Sequence, residues 1–222
     1  SFTEPWLGGK KPNSLSVTLY HSVQTNGQKK YSSRRPDVLN PNRQALTITG
    51  ISVGLGKRLS WPDDFFQIYL EGSYKYYNLN NYRAFFSFND GYSQDPNLRM
   101  VLSRNSMDFP AFDYPTSGSN ISLTTQFTPF IRSLFTDLDL TDITDQEKYK
   151  FLEYYKVKFT GSFFTKLLGR ERKNALVLNT RIGFGLLGAF NKDYGLSPFE
   201  RFYLGGSGLT GFSLDGREII AL

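Results

Sequence analysis

Phe66-Gln67-Ile68-Tyr69-Leu70-Glu71-Gly72-Ser73-Tyr74-Lys75-Tyr76 is the stretch on which the fold turns. Phe66, Ile68, Leu70, Tyr74 and Tyr76 fall on one phase of a period of two; Gln67, Glu71, Ser73 and Lys75 fall on the other. That is the pattern of a β-strand with two unlike faces. A lysine or arginine facing lipid near the middle of a bilayer costs about 2–4 kcal/mol, so in a membrane these charges face water and the apolar phase faces acyl chains.

The alternation recurs along the chain. Leu15, Val17, Leu19 and Val23 oppose Ser16, Thr18, Tyr20 and Ser22, and Ile51, Val53 and Leu55 oppose Ser52, Gly54 and Gly56. Leu46 and Ile48 sit on the opposite phase from Ile51, so a β-bulge is expected at Gly50. Downstream, Leu98, Met100 and Leu102 alternate with Arg99, Val101 and Ser103, and Ile121, Leu123 and Phe127 with Ser122, Thr124 and Gln126. Tyr155, Val157, Phe159 and Phe163 oppose Lys156, Lys158, Thr160 and Ser162; Leu176, Leu178, Ile182 and Phe184 oppose Val177, Asn179, Arg181 and Gly183. Seven full strands are expected, with a partial strand at each end. Glu71, Lys75, Arg99, Lys156, Lys158 and Arg181 are the charged residues of the wet phase, candidates to line a lumen.

Composition agrees with an all-β protein. Of 222 residues 16% are aromatic, with 20 Phe and 14 Tyr, a mix suited to pleated, half-buried surfaces. The absence of cysteine excludes a disulfide-stapled scaffold and a thiolate metal site. The net charge of +6 and pI of about 9.4 invite a nucleic-acid reading. The positions argue against one: the cations cluster at turns or alternate with apolar residues, and no consecutive aromatic platform is present. Mean hydropathy is −0.38 and no run of 18 apolar residues exists, which excludes a transmembrane helix. Transmembrane strands need only about 9–11 alternating residues. Ser1-Phe2-Thr3-Glu4-Pro5-Trp6 has neither the basic start nor the apolar core of a signal peptide, and reads as the start of a piece of something longer.

The connections add a two-beat. Those at 8–13, 60–64, 109–118 and 166–174 read as short; those at 24–44, 129–148 and from 190 onward read as long, and 78–96 as medium to long. Outer-membrane barrels keep short periplasmic turns and longer outward loops, whereas a soluble sandwich has no reason to alternate them. Trp6, Trp61, Tyr76, Tyr77, Tyr82, Tyr149 and Tyr154 lie near strand ends and fit two interfacial girdles.

Covalent chemistry finds no foothold. His21, the sole histidine, sits on an apolar phase near a strand end, where an interfacial or protein-contacting role suits it better than a triad or zinc site. Asp137, Asp139, Asp142, Asp145 and Glu147 lack the glycine and closing glutamate of a calcium loop and read as a solvated connection. Asp63-Asp64 is accounted for by turn formation. Lys29, Lys30, Arg34 and Arg35, on an outward connection, are placed to meet lipopolysaccharide phosphates, although a charged loop with no specific ligand is the plainer reading. No catalytic residue, metal site or cofactor is expected.

Three elements carry a family resemblance. Ser1-Phe2-Thr3-Glu4-Pro5-Trp6-Leu7 resembles a strand end with an Asn/Glu-Pro-aromatic turn. Ser103-Arg104-Asn105-Ser106-Met107-Asp108, followed by Tyr114-Pro115-Thr116-Ser117-Gly118-Ser119, is similar to a strand and periplasmic turn. Pro198-Phe199-Glu200-Arg201-Phe202-Tyr203-Leu204-Gly205-Gly206-Ser207 and Gly208-Leu209-Thr210-Gly211-Phe212 resemble an F-x-x-GG-S element leading to V-R-G-F/Y. In this order they resemble the barrel of BamA-type outer-membrane protein assembly factors, the last being the sixth outward loop.

The resemblance implies an incomplete antiparallel transmembrane β-barrel. Residues 1–222 would run from about the end of the fourth strand to the start of the twelfth of 16, with part of the lumen-folding sixth loop at about 190–216 and no POTRA domain. It implies no enzyme, a location in the bacterial outer membrane, and a role in assembling and inserting other β-barrels. The implied partners are unfolded β-barrel clients, accessory lipoproteins of an assembly complex, and outer-membrane lipid or lipopolysaccharide. Glycine and apolar content make Gly205, Gly206, Ser207, Gly208, Leu209, Thr210, Gly211 and Phe212 a loop that something must hold, and the resemblance places it in the lumen. Thr210 stands where the motif has arginine, so that cation's contact does not carry over. A transport channel, either a two-partner secretion transporter or a porin, is the alternative function.

Overall fold

The computed structural model describes residues 1–9, 13–32, 38–82, 89–108, 115–129, 149–169, 175–190 and 202. They form one sheet of eight strands in sequence order: β1 (Phe2–Glu4), β2 (Ser14–Thr25), β3 (Ala45–Arg58), β4 (Phe66–Asn80), β5 (Gly91–Asn105), β6 (Gly118–Phe127), β7 (Tyr154–Leu168) and β8 (Leu176–Ala189). Every neighbouring pair is antiparallel. Successive connections therefore fall at alternate ends of the sheet. Seven strands are full, as the alternation leads one to expect, and β1 is partial; the partial strand expected at the other end of the chain lies outside the described residues.

Register fixes which side chains share a face. Ser16 stands opposite Gly54, Gly54 opposite Glu71, Glu71 opposite Arg99, Arg99 opposite Gln126, and Gln126 opposite Lys156. Since side chains alternate along each strand, one row assigns the whole sheet. The face of that row is polar. The other carries Leu19, Ile51, Val53, Leu55, Leu70, Leu98, Phe127, Ile182 and Phe184, all exposed, Leu19 at 70%. An apolar face spanning seven strands is poorly tolerated in water and is what acyl chains solvate. No helix among the described residues is long and apolar enough to cross a membrane.

Three expectations are corrected. Pairing runs unbroken through Gly50, with Tyr20 on one side and Lys75 on the other, so there is no bulge. Leu46 and Ile48 point to the polar face because an apolar cluster has formed there: Leu46, Tyr77, Leu79, Leu152 and Tyr154 are buried together, with Ile48, Tyr82, Tyr149 and Leu187 packed around them. Gly50 is small because the Tyr20 ring lies across it, where a Cβ would collide.

The second correction concerns the two-beat. β4 and β5 run further than the apolar alternation shows, so the connection 81–90 is shorter than the opposite-end connection 106–117. Asp95 and Pro96, inside the expected connection 78–96, are thereby strand residues, continuous with Asn97. Gln94 bonds outward, donating its N–H to Lys150 O at 2.8 Å and accepting from Leu152 N at 3.0 Å. By the period of two, Pro96 also faces away from β4, where its missing N–H breaks no β4 ladder bond.

The third concerns the aromatic girdles. Trp6 and Trp61 are exposed at one end of the sheet, Trp61 at 82%, as an interfacial belt requires. Tyr77 and Tyr154, however, are buried in the polar-face cluster, and Tyr82 and Tyr149 pack against it. Tyr76, on the apolar face, stacks on Tyr92 with centroids 5.8 Å apart.

Candidate functional site

The polar face is the surface on which the chain concentrates its charge. Glu71, Lys75, Arg99, Lys156, Lys158 and Arg181 all fall on it by register. Arg99 and Glu71, directly opposed on β5 and β4, meet at 3.0 Å. Tyr69 donates to Glu71 Oε2 at 3.0 Å, shares a hydrogen bond with Ser16 Oγ at 2.8 Å, and lies 5.9 Å from the Arg99 guanidinium. Its ring occupies the space above Gly54, which only a residue without a Cβ leaves open. Serine, glycine, tyrosine, glutamate and arginine from β2 to β5 thus form one polar belt.

Nearer the far end of the same face, Lys75 Nζ lies 3.5 Å from Asp95 Oδ2, and Asp95 is fully buried. Tyr154 Oη accepts from Asn97 at 2.6 Å and from Gln126 at 2.7 Å, and approaches Asp95 at 3.5 Å. The backbone of Tyr154 is held by Thr128: Thr128 N donates to Tyr154 O at 3.0 Å, and Tyr154 N donates to Thr128 Oγ1 at 2.7 Å. The segment 149–153 fills the edge of β5 left open where β6 ends, sealed by Ser93 Oγ donating to Tyr149 O at 2.6 Å. Leu152 is thereby carried onto the polar face and into the apolar cluster.

Phe202 reaches the same face from beyond β8. Its ring lies above Gly185, where a Cβ would come within 2.9 Å, and Lys156 Nζ sits 4.7 Å from its centroid. Phe202 opens the F-x-x-GG-S element, whose remaining residues, with Gly208, Leu209, Thr210, Gly211 and Phe212, lie outside the described residues, as do Arg34, Arg35 and the acidic stretch 137–147. Among the described residues no group of three or more His, Cys, Asp or Glu is placed to hold a metal.

A second polar node, not legible as such in the sequence, joins the opposite end. Arg104 stands on the apolar phase, but at the end of its strand. Its Nε donates to Asp63 Oδ2 at 2.9 Å, and its Nη1 donates to Ser106 and Ser119 at 2.8 and 2.9 Å. Phe65 and Phe66 flank it at 5.6 and 5.8 Å. Asp63 also caps Phe65 N at 3.0 Å, so it is more than a turn former: it neutralises a cation that the apolar face would otherwise exclude. Asp108 accepts from Thr116 N and Oγ1 at 2.9 and 2.8 Å and fastens the following connection. Gly118 enters β6 with φ of 95°, and a side chain there would strike the Ser106 carbonyl. His21 bonds Thr49 through Nδ1 at 2.8 Å on the exposed apolar face, the protein-contacting role expected of it.

A sheet with one continuous apolar face, one ion-paired polar face and connections alternating between its ends is the wall of an outer-membrane β-barrel. The chain belongs to the Omp85 superfamily, whose domain model matches residues 1–218. Among solved structures it is similar to BamA from Haemophilus ducreyi lacking POTRA domains 1–3, with 20% sequence identity and a TM-score of 0.62. That match covers 93% of this chain and 35% of the BamA chain, so the present residues span about a third of the length of that POTRA-shortened chain. Among curated proteins, none matches the sequence significantly. The superfamily is one of outer-membrane assembly and transport proteins rather than enzymes, and it sets this chain in the bacterial outer membrane.

Proposed function

We propose that residues 1–222 are part of the barrel wall of a factor that assembles and inserts outer-membrane β-barrel proteins, and that the segment at about 190–216 folds into its lumen. The observation that carries this reading is the occupied polar face. Leu46, Tyr77, Leu79, Leu152 and Tyr154 form an apolar cluster on it, and Phe202 lies against it at Gly185. A water-filled transport pore gains nothing from apolar packing on its inner wall. A scaffold that braces an inward loop does. The wall then holds the barrel's shape while a weaker seam elsewhere in the full-length protein pairs its open edges with client strands, through backbone hydrogen bonds of the kind any sheet edge offers. Unfolded β-barrel clients and accessory lipoproteins are the partners this reading requires.

Depletion of the full-length protein in its host is the test. Abundance of folded outer-membrane barrels, followed by their heat-modifiable mobility in gels, falls if the protein inserts them and stays level if it does not. Planar-bilayer conductance is the counterpart: a large, steady open state of the wild-type protein would support transport instead.

A further inference from the structure

At the end of the sheet that carries the connections 26–44 and 81–90, a cavity of about 290 Å³ opens beside β3 and β4. Its walls include Lys30, Asn40 and Arg43 from the β2–β3 connection, Thr47 from β3, and Asn78 and Asn80 from β4. Thr47 and Asn78 are directly paired, on the same phase as Ile51, Val53 and Leu55. The cavity therefore belongs to the apolar, membrane-facing side of the sheet and sits above its lipid belt. Ile51 lies four residues down β3 from Thr47, about 13 Å at 3.3–3.4 Å per residue.

The chemistry of the lining is one-sided. It includes two cations and, among the described residues, no carboxylate. Apart from Lys30 Nζ, which lies 5.5 Å from the Tyr31 ring centroid, the side chains of Lys30, Arg43, Thr47, Asn78 and Asn80 have no hydrogen bond or ion pair among the described residues. Three cations elsewhere on this sheet are matched by carboxylates, Arg99 by Glu71, Lys75 by Asp95 and Arg104 by Asp63. The connection that presents Lys30 and Arg43 is itself firmly built. Asn26 donates to Asn42 O at 2.9 Å and accepts from Gln44 N at 3.2 Å; Asn40 accepts from Asn42 N at 3.0 Å. Asn40 N donates to Lys30 O at 3.0 Å, and Asn81 donates to Pro41 O at 2.7 Å, tying the connection to the next one.

An ammonium, a guanidinium, a hydroxyl and three amides bordering one concavity, with Leu39 and Ala45 beside them, are donors for an oxyanion, and its position above the lipid belt selects an oxyanion that carries acyl chains. We propose that this cavity binds the phosphomonoester headgroup of an outer-leaflet glycolipid of the lipid A class, with its acyl chains lying on the apolar face below. The site rests on the membrane setting of the barrel and on the outward placement of this end. It is indifferent to whether the protein inserts clients or transports them.

The test uses the full-length protein in a neutral detergent, with bound lipid counted by native mass spectrometry. Four probes are offered: diphosphoryl lipid A, the same lipid dephosphorylated, phosphatidylglycerol, and inorganic phosphate. Diphosphoryl lipid A binds best, and paired Lys30→Gln and Arg43→Gln substitutions lower its affinity on the order of a hundredfold, about tenfold for each cation removed. Exchange of Lys30→Arg with Arg43→Lys retains most of the binding. Folding of each variant is checked by heat-modifiable mobility, and Arg43→Ala alone, expected to weaken binding about tenfold, serves if the paired variant does not fold. Equal binding by wild type and variants overturns the site. Equal binding of dephosphorylated lipid overturns the headgroup, effective competition by inorganic phosphate makes it a free-ion site, and preference for phosphatidylglycerol overturns the outward glycolipid assignment. Because no client is present, failure here leaves the insertion reading to its own test.

Discussion

The Tyr69 ring lies across Gly54, two residues along β3 from its register partner Gly56, in a space that no residue with a Cβ leaves free. This arrangement lets one tyrosine bond Ser16 at 2.8 Å and Glu71 at 3.0 Å, tying β2 to β4 across β3 through a single oxygen. Gly54→Ala forces the ring aside and costs about 1–3 kcal/mol, the range for overpacking a filled site. Gly72 is the control, since a Cβ there would meet nothing nearer than Leu98 Cδ2 at 3.7 Å. Urea unfolding of the full-length protein in lipid vesicles checks the pair: Gly54→Ala lowers the midpoint, and Gly72→Ala leaves it nearly unchanged.

Arg99 and Glu71 test whether the polar face is held by charge or merely decorated with it. Both side chains keep some exposure to water, so the coupling is modest, about 1 kcal/mol. In a double-mutant cycle with Glu71→Gln and Arg99→Gln, the second substitution costs less once the first is made. Strict additivity would show that the 3.0 Å ion pair contributes no stability.

Leu152 is buried on a face that should be wet, and its removal measures what the cluster is for. Leu152→Ala leaves a cavity among Leu46, Tyr77, Leu79 and Tyr154 and costs about 2–5 kcal/mol. Leu19→Ala, on the exposed apolar face, opens no cavity and costs less. Equal destabilisation at the two positions would mean that the cluster is not a packed unit.

Strand number, order and the identity of the two faces are legible in the sequence because a period of two survives wherever one face meets lipid and the other water. Ile51, Val53 and Leu55 declare themselves in this way, and so do Glu71, Lys75 and Arg99. The pattern breaks down where that contrast disappears. Leu46 and Leu79 are apolar on the polar face because the segment 149–153 covers them, and no local feature of β3 announces a segment about a hundred residues further along the chain. Asp95 and Asn97 have the polarity of loop residues, yet both are buried strand residues partnered by Lys75 and Tyr154. Asp63 and Arg104 are 41 residues apart, and only the β4–β5 register brings them together. Single residues carry the period; pairs require the pairing.

Gly118 closes the turn that the Tyr-Pro-x-x-Gly-Ser element spells out. With φ at 95° and the Ser106 carbonyl where a side chain would stand, Gly118→Ala is strained in backbone and blocked in space. Refolding yield into vesicles falls for Gly118→Ala, and more so for Gly118→Val. Asp108→Asn keeps the acceptor oxygen for Thr116 N but removes the charge, and has the smaller effect. Equal yields for all three would show that this connection is not a constraint on folding.

Phe202 and Gly185 bear directly on the proposed inward loop. The ring can rest on β8 only because Gly185 has no side chain, and Lys156 on β7 adds a cation 4.7 Å from it. Gly185→Val blocks the seat, Phe202→Ala empties it, and Lys156→Gln removes the cation while leaving the seat open. If the segment beyond β8 docks through Phe202, the first two weaken client insertion and raise protease sensitivity of residues 190–216 together, whereas Lys156→Gln has a smaller effect of the same kind. The combined variant Gly185→Val with Phe202→Ala is then no worse than either alone, because both act on one interaction. Additive effects would separate the two residues and leave Phe202 resting on the wall without bracing anything.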